Sequence, residues 1–197
     1  MRFSMLRLLG GAVISLWLLA GCATSYVLDN TVQSFSQLTA LPAQPSYRFE
    51  RLPSQQDPWH AQLEAMADAA LHKAGLRRDD ANPGYSVQVG AQLQRVLSPW
   101  ANPWYGWGTF GVSHRGVGLG FGFPFGYGYM EPPWFQREVS IIIRELPSNR
   151  TVYETRAFNT GPWVDDGAVL PVMFQAALQG FPTPPPGPRR VDVQVPR

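Results

Sequence analysis

The spacing of hydrophobic positions changes along the chain, and it predicts which segments form strands and which form helices. Apolar and polar residues alternate, with the period of two typical of half-buried strands, in residues 47–52, 85–97 and 191–195. Residues 136–158 contain two further strand-like runs joined by the turn composition of residues 147–150, and they predict a hairpin. Before residue 46 the pattern is weak, and only residues 26–28 predict a short first strand.

Helical spacing occurs twice. Asp57 and Pro58 suit the N-cap and the first position of a helix, and the stripe that follows consists of Trp59, Leu63, Met66, Ala70 and Ala74. Gly75 then predicts a left-handed helix end. A second helix is predicted after Asp165-Asp166-Gly167, ending at Gly180, and its apolar side consists of Val169, Val172, Met173, Ala176, Ala177 and Leu178. The mixture of strands and helices predicts an α/β domain.

The N-terminal residues have the order of a secretory signal: Arg2 and Arg7, an apolar run of about a dozen residues, and then small residues before the single cysteine. Leu19-Ala20-Gly21-Cys22 resembles the bacterial lipobox, where the chain is cut before the cysteine. The resemblance implies that residues 1–21 are a lipoprotein signal peptide. It also implies that Cys22 carries a diacylglycerol on sulfur and an acyl chain on its new amino group. The alternatives are an ordinary secretory signal and one spanning helix, for which the run is short.

Ala23 follows the cysteine, whereas in enterobacteria an aspartate there resembles an inner-membrane retention signal. Its absence favours the outer membrane. Residues 22–45 are polar and contain prolines, so they predict a lipidated tether that includes the short first strand. Residues 46–197 form the predicted α/β domain.

Charge and cysteine content exclude several functions. The chain has sixteen Lys and Arg against fourteen Asp and Glu, but Arg2 and Arg7 would leave with the signal peptide. The mature side chains would then balance near zero, so the basic pI gives no argument for nucleic-acid binding. Once Cys22 is acylated, no thiol remains for a disulfide, thiol catalysis or a metal ligand.

Residues 98–135 form an unusual insert between two predicted strands, with nearly half of the glycines and aromatic residues of the chain. Within it, glycines alternate with apolar residues from Gly116 to Phe123, so an extended chain would have one bare face and one apolar face. The candidate interaction surface consists of Trp100, Trp104, Tyr105, Trp107, Phe121, Phe123, Phe125, Tyr127 and Tyr129. The alternatives are a loop that folds over its own domain and an aggregation-prone segment.

Few residues suggest chemistry. Gly106–Gly111 matches the dinucleotide pattern in spacing alone, because no helix is predicted after it. His60, Glu64, Asp68 and His72 recur every four residues, and an adjacent pair could hold a metal, but we expect a solvated helix face opposite the apolar stripe. Asp165 and Asp166 suit helix capping. The sequence therefore predicts no catalytic, cofactor-binding or metal-binding residues, and no cofactor besides the covalent lipid.

The order of these features resembles one family, the bacterial lipoproteins catalogued as domain of unknown function 4136. The shared features are the lipobox, Phe35-Ser36-Gln37-Leu38 before Tyr47-x-Phe49, the strand at 85–96, the Gly/aromatic stretch and Phe181-Pro182-x-Pro184-Pro185-Pro186. The resemblance implies a two-layer α+β sandwich, with two helices on one face of a mixed sheet, and it implies no activity. The family's aspartate-rich first strand is reduced here to Tyr26-Val27-Leu28-Asp29.

We therefore expect an outer-membrane lipoprotein that faces the periplasm and acts as a non-enzymatic binding or structural component of the envelope. Its expected partners are the membrane, through the lipid, and an envelope protein or glycan, but not nucleic acid. One alternative is an envelope enzyme such as a cell-wall hydrolase. Another is an assembly module in which the insert pairs with strands of a second chain.

Overall fold

The predicted strands join in one sheet in the computed structural model, which describes residues 25–41, 43, 45–98, 112–113, 116–117 and 133–196. In this part of the chain the strands are β1 (Ser25–Ser36), β2 (Ser46–Phe49), β3 (Arg77–Arg78), β4 (Tyr85–Val96), β5 (Val112–Ser113), β6 (Gly116–Val117), β7 (Trp134–Glu145), β8 (Arg150–Gly161) and β9 (Arg189–Pro196). The helices of the described residues are α1 (Pro58–Lys73) and α2 (Asp166–Ala177), and residues 53–55 form a short 3-10 turn.

The main sheet is open and mixed. Its seven described strands follow the order β3-β2-β4-β7-β8-β1-β9, while β5 and β6 pair only with each other. β2 is parallel to both of its neighbours, and the remaining neighbours are antiparallel. Two helices cover one face of the sheet, so the predicted two-layer α+β fold is confirmed.

The core lies between that face and the helices. Alternate residues of the two central strands face inward and lie opposite each other, as Val89 does with Ile141 and Val87 with Ile143. They are buried beneath apolar side chains of both helices, among them Leu63 and Leu71 of α1 and Leu170, Met173 and Phe174 of α2. The period-two alternation of the sequence therefore corresponds to one buried sheet face.

The helix ends follow the predicted capping residues. Asp57 accepts a hydrogen bond from the His60 backbone N–H (3.0 Å), and Asp165 accepts one from Ala168 (3.3 Å). Past α1, Gly75 adopts φ +98°, and the Leu76 N–H donates to the Leu71 carbonyl at 3.0 Å, a Schellman-type end. Helix α2 ends at Ala177, before the predicted stop at Gly180.

Three predicted boundaries were wrong. The first strand is twelve residues long and lies inside the sheet between β8 and β9, so residues 25–36 are part of the domain rather than a tether. β2 ends at Phe49 instead of residue 52. Trp134 and Phe135 belong to β7, so the insert is shorter than predicted at its C-terminal end.

Several predictions fall on residues outside the described part of the chain. These are Cys22 with residues 1–21, the Gly106–Gly111 pattern, and the candidate interaction surface of Trp100, Trp104, Tyr105, Trp107, Phe121, Phe123, Phe125, Tyr127 and Tyr129. Neither helix of the described residues is long and apolar enough to span a bilayer.

Candidate functional site

Several chain ends meet at one end of the main sheet, which we call the insert end. β4 finishes at Val96 opposite Trp134, the first residue of β7, so the chain leaves the sheet after Val96 and returns to it at Trp134. β8 finishes there as well, with Gly161 opposite Phe135. The first residue of β1, Ser25, lies at the same end. The start of β1 and both ends of the insert therefore lie at the same end of the sheet.

A fully buried arginine supports the insert end. Arg137 of β7 has no exposed surface, and its Nε donates to Asp166 Oδ1 at 2.6 Å. Its Nη2 donates to the Trp163 carbonyl at 2.6 Å, and the guanidinium lies 5.0 Å from the centre of the Phe135 ring. Arg137 thereby connects the start of β7 to the loop before α2 and to the first residue of that helix.

Aromatic rings and a second cation surround this arginine. Tyr26 stacks on Trp163 with ring centres 3.9 Å apart and an angle of 25° between the planes. Arg95 of β4 lies 5.7 Å from the Phe135 ring centre, within cation–π range. Trp163 lies so close to Gly161 that a Cβ there would be 3.0 Å from the indole Cδ1, so a side chain at this position would require the indole to shift.

Several of the buried side chains near this end are polar. Asn159 lies directly opposite Arg137, and its amide donates to the Asp29 carbonyl at 2.8 Å. Asn30 on β1 is also buried, and its amide donates to the Val191 carbonyl at 3.2 Å. Arg137 Nη1, Asn159 Oδ1 and Asn30 Oδ1 have no hydrogen-bond partner among the described residues. Buried polar groups therefore interrupt the apolar core here, while Leu28 and Val195, which lie nearer the insert end, are buried as well.

Two apolar side chains near the insert end are unusually exposed. Leu97, directly after β4, is 85% exposed, and Val164, in the loop before α2, is 72% exposed. Side chains of this kind are available for contact with an apolar environment. Together with Arg95, they give the insert end both apolar and cationic surface.

The row of titratable residues on α1 is not the solvated face that we expected. Glu64 is buried and accepts two hydrogen bonds from Arg51, Nε–Oε1 at 2.5 Å and Nη2–Oε2 at 2.7 Å. Asp68 accepts a hydrogen bond from the Tyr47 hydroxyl. Burial, and then this contact with a carboxylate, raises the pKa of Tyr47 above its usual range. The expectation was wrong because residues of β2 and the segment after it provide partners for these carboxylates.

The two histidines of that row are apart from this network. His60 Nδ1 lies 2.8 Å from Asp57 Oδ2, and this contact lowers the pKa of the Asp57 carboxyl. His72 is exposed. Among the described residues, no group of three or more His, Cys, Asp or Glu side chains could hold a metal ion. The predicted apolar stripe of α1 was partly wrong. Trp59 belongs to that stripe but is 36% exposed, whereas Ala67 and Leu71 do not belong to it and are buried.

Sequence reasoning missed Arg137, although the strand pattern contains the signal. Arg137 is in phase with the inward residues Val139, Ile141 and Ile143 of the same strand. A charged residue in that phase must be buried or must end the strand. The predicted capping role of Asp165 is confirmed, whereas the Asp166 carboxylate pairs with Arg137.

Comparisons with solved structures return distant likenesses. Two are PelC dodecamers from Paraburkholderia phytofirmans. One of them, a form with a single substitution, has 14% identity and a TM-score of 0.47, with coverage of 76% of this chain and 94% of that one. The other has 12% identity and a TM-score of 0.49, with coverage of 79% and 99%. A third is a PDZ domain protein from Parabacteroides distasonis, with 16% identity, a TM-score of 0.49 and coverage of 88% of this chain but 40% of that one.

These likenesses are too weak to carry an argument about function. No curated protein matches the sequence. The family model described as "Domain of unknown function (DUF4136)" matches residues 31–183, most of the chain. The match extends from the middle of β1, through the buried Arg137, to the proline-rich segment after α2. The chain therefore belongs to the DUF4136 family.

Proposed function

We propose that this chain is an outer-membrane lipoprotein that faces the periplasm and acts as a non-enzymatic binding or structural component of the cell envelope. The lipobox Leu19-Ala20-Gly21-Cys22 supports the anchor, and Ala23 supports the outer membrane. The single observation that carries the rest of the proposal is the common position of the start of β1 and the two ends of the insert.

The distance from the anchor to the domain is short. Cys22 precedes Ser25, the first residue of β1, by three positions, and three extended residues span at most about 10 Å. A lipid on Cys22 would therefore hold the insert end of the sheet next to the membrane surface. The chain leaves the sheet after Val96 and returns to it at Trp134 at that same end, so the insert would start and finish beside the bilayer.

The composition of this region suits a membrane interface. Tryptophan and tyrosine are favoured there because one part of the ring system is apolar and another is polar. The candidate interaction surface includes Trp100, Trp104 and Tyr105 near the start of the insert. Exposed Leu97 and Val164 add apolar contact, and Arg95 can meet anionic headgroups. The proposed function is thus attachment by lipid and insert together, which leaves the sheet face that the two helices do not cover for an envelope protein or glycan.

The test of the anchor is lipid labelling and fractionation of intact cells. The protein is followed by an alkyne analogue of palmitate, with Cys22→Ser as the variant and Thr24→Ser as the matched control. We expect label and membrane association in the wild type and the control. The several acyl chains on Cys22 would anchor the protein far more firmly than a single chain. The Cys22→Ser variant should be unlabelled. If that variant is labelled and fractionates like the wild type, the proposal is wrong.

A further inference from the structure

Three buried polar side chains form a row across the sheet near the insert end, and we call them the buried polar row. Arg137 of β7 lies opposite Asn159 of β8. Thr31 of β1 lies opposite Phe158, so Asn30, the preceding residue of β1, lies beside Asn159. The exposed fraction is 0% for Arg137, 4% for Asn159 and 1% for Asn30. All three are in phase with the apolar residues of their strands, so they face the helix layer.

Each side chain of the row has one polar atom without a partner in the part of the chain that the structure describes. On Arg137 this atom is Nη1, which donates, whereas on Asn159 and Asn30 it is Oδ1, which accepts. Asn159 Nδ2 donates to the Asp29 carbonyl at 2.8 Å, and Asn30 Nδ2 donates to the Val191 carbonyl at 3.2 Å. Because a carbonyl only accepts, these contacts fix which way each amide is turned. Burial without a hydrogen bond is costly for all three remaining atoms.

The three side chains converge over β8. Arg137 Nη2 donates to the Trp163 carbonyl at 2.6 Å, and the Trp163 ring lies against Gly161, the last residue of β8. The guanidinium therefore extends from β7 across β8, the strand that carries Asn159. Asn30 lies on the other side of Asn159, and opposed Cβ atoms of neighbouring strands are about 5 Å apart. A small molecule seated at Asn159 is thus between the other two members of the row.

The kind and number of these atoms select the ligand. One donor and two acceptors match a molecule that accepts one hydrogen bond and donates two, as water does. An anion cannot donate to the two amide oxygens. A metal cation would lie against the Arg137 guanidinium, which repels it. The burial of all three side chains favours a ligand of the size of water over a larger one.

We propose that the buried polar row binds one structural water molecule. This water accepts a hydrogen bond from Arg137 Nη1 and donates one to Oδ1 of Asn159 and one to Oδ1 of Asn30. About three hydrogen bonds are usual for a buried water, and such a water is costly to remove. The bridge joins β7, at which the chain returns from the insert, to β8 and β1. The proposal does not depend on the lipid anchor.

Magnetisation transfer from water to side-chain amide protons, measured by NMR on the isotope-labelled full chain in detergent, tests this proposal. A buried water stays in place long enough to give cross peaks with the same sign as those within the protein, whereas surface water exchanges too quickly. We expect such a cross peak at the side-chain amides of both Asn30 and Asn159. The lack of a peak at either amide overturns the proposal.

Two variants separate the water from other exchanging protons. Asn30→Leu puts a methyl group in the place of Oδ1, which cannot accept a hydrogen bond and takes the space of the water. Ser34→Ala removes a buried hydroxyl on the same face of β1, but one that has a protein partner, Thr155 at 2.8 Å. We expect the water cross peak at Asn159 to be lost in Asn30→Leu and to be retained in Ser34→Ala. Both variants keep Arg137, so a peak relayed by guanidinium protons would persist in Asn30→Leu. Such persistence, or equal loss in both variants, overturns the proposal.

A titration of the wild type with sodium bromide distinguishes the water from an anion and requires no variant. An anion bound to Arg137 would shift the side-chain amide resonances of Asn30 and Asn159 in a saturable way. The exposed Asn82 provides the reference for general salt effects. We expect the two buried amides to shift no more than that of Asn82. A saturable shift confined to the buried polar row would assign the site to an anion and overturn the proposal.

Discussion

Arg137 has no exposed surface, yet the Asp166 carboxylate that neutralises it, 2.6 Å from its Nε, is 37% exposed. The buried charge therefore depends on a partner that water can reach. The two members of the pair should respond differently to mutation, because removing the carboxylate leaves a buried cation without its counter-ion, while removing the arginine leaves an aspartate that solvent can hydrate.

Asp166→Ala should lower the free energy of unfolding by about 3 kcal/mol, the low end for a broken buried pair, since Asp166 is itself partly solvated. Arg137→Met should cost less, because an apolar side chain of similar length fills the same space. Chemical denaturation of both variants measures the difference. A larger loss in Arg137→Met than in Asp166→Ala would show that the guanidinium contacts with Trp163 and Phe135, rather than charge balance, dominate.

Leu63 and Trp59 belong to the same predicted stripe on α1, but their burial differs. Leu63 is almost completely buried in the core, while Trp59 is 36% exposed. Leu63→Ala should therefore lower the free energy of unfolding by about 2–5 kcal/mol through lost contacts and the cavity left behind. Trp59→Ala should cost clearly less, even though it removes a larger side chain. Thermal unfolding of the two variants decides the order, and a larger effect of Trp59→Ala would contradict the observed packing.

Tyr47 should make the fold sensitive to alkaline pH. Its pKa is raised above the ordinary value of 10.0, by burial first and by Asp68 second. The folded protein retains the phenol proton at pH values where the unfolded chain releases it, so the stability contributed by Tyr47 is complete below pH 10 and falls as the pH rises above it.

Tyr47→Phe has no such proton to lose, so its stability should decline less steeply above pH 10 than that of the wild type. Some decline should remain, because burial also raises the pKa of Tyr153. Denaturation curves collected across the alkaline range test this expectation. Parallel stability curves for the wild type and Tyr47→Phe would mean that the Tyr47 phenol does not titrate differently in the two states.

Deletion of residues 99–132 separates folding from the proposed interaction. Val96 and Trp134 are opposite each other on adjacent antiparallel strands, so a short Gly-containing turn can join β4 to β7. Shortening this loop should leave the melting temperature close to that of the wild type. In protein that carries Cys22→Ser and therefore no lipid anchor, the deletion should abolish the remaining association with vesicles, as measured by flotation. If the variant without residues 99–132 is unfolded, the aromatic residues of the insert belong to the core instead.

That deletion must spare Trp134 and Phe135, which sequence reasoning had placed in the insert. Both are aromatic, like the preceding insert, so composition alone does not separate them from it. Their strand position follows from pairing with Val96 and Gly161, residues that lie far along the chain in both directions.

The length of β1 was missed for a related reason. The inward residues of β1 are, in order, Leu28, Asn30, Val32 and Ser34. Two of these four are polar, so the apolar alternation is interrupted. These polar side chains are tolerated because Asn30 donates to the Val191 carbonyl and Ser34 pairs with Thr155. A local pattern cannot reveal hydrogen bonds to partners more than a hundred residues away. Most of β4 and β7 was predicted, because long stretches of their inward rows, such as Val139, Ile141 and Ile143, are apolar.

The burial of Glu64 could not be predicted from helical spacing either. A carboxylate in a helix usually faces water, and only the fold brings the Arg51 guanidinium to it. The helix caps were predictable because an N-cap and its first turn lie within a few residues.

The pairing of the first strand with the last has a consequence for the time course of folding. β1 is held between β8 and β9, and the Asn30–Val191 hydrogen bond joins residues 161 positions apart. Contacts of such long sequence separation form late, because a large loop must close before they contribute. A nascent chain that still lacks residues 189–196 would leave the β1 edge from Ser25 to Val32 uncovered. Such a chain would be open to pairing with other molecules, so the final eight-residue strand is also a safeguard against premature association.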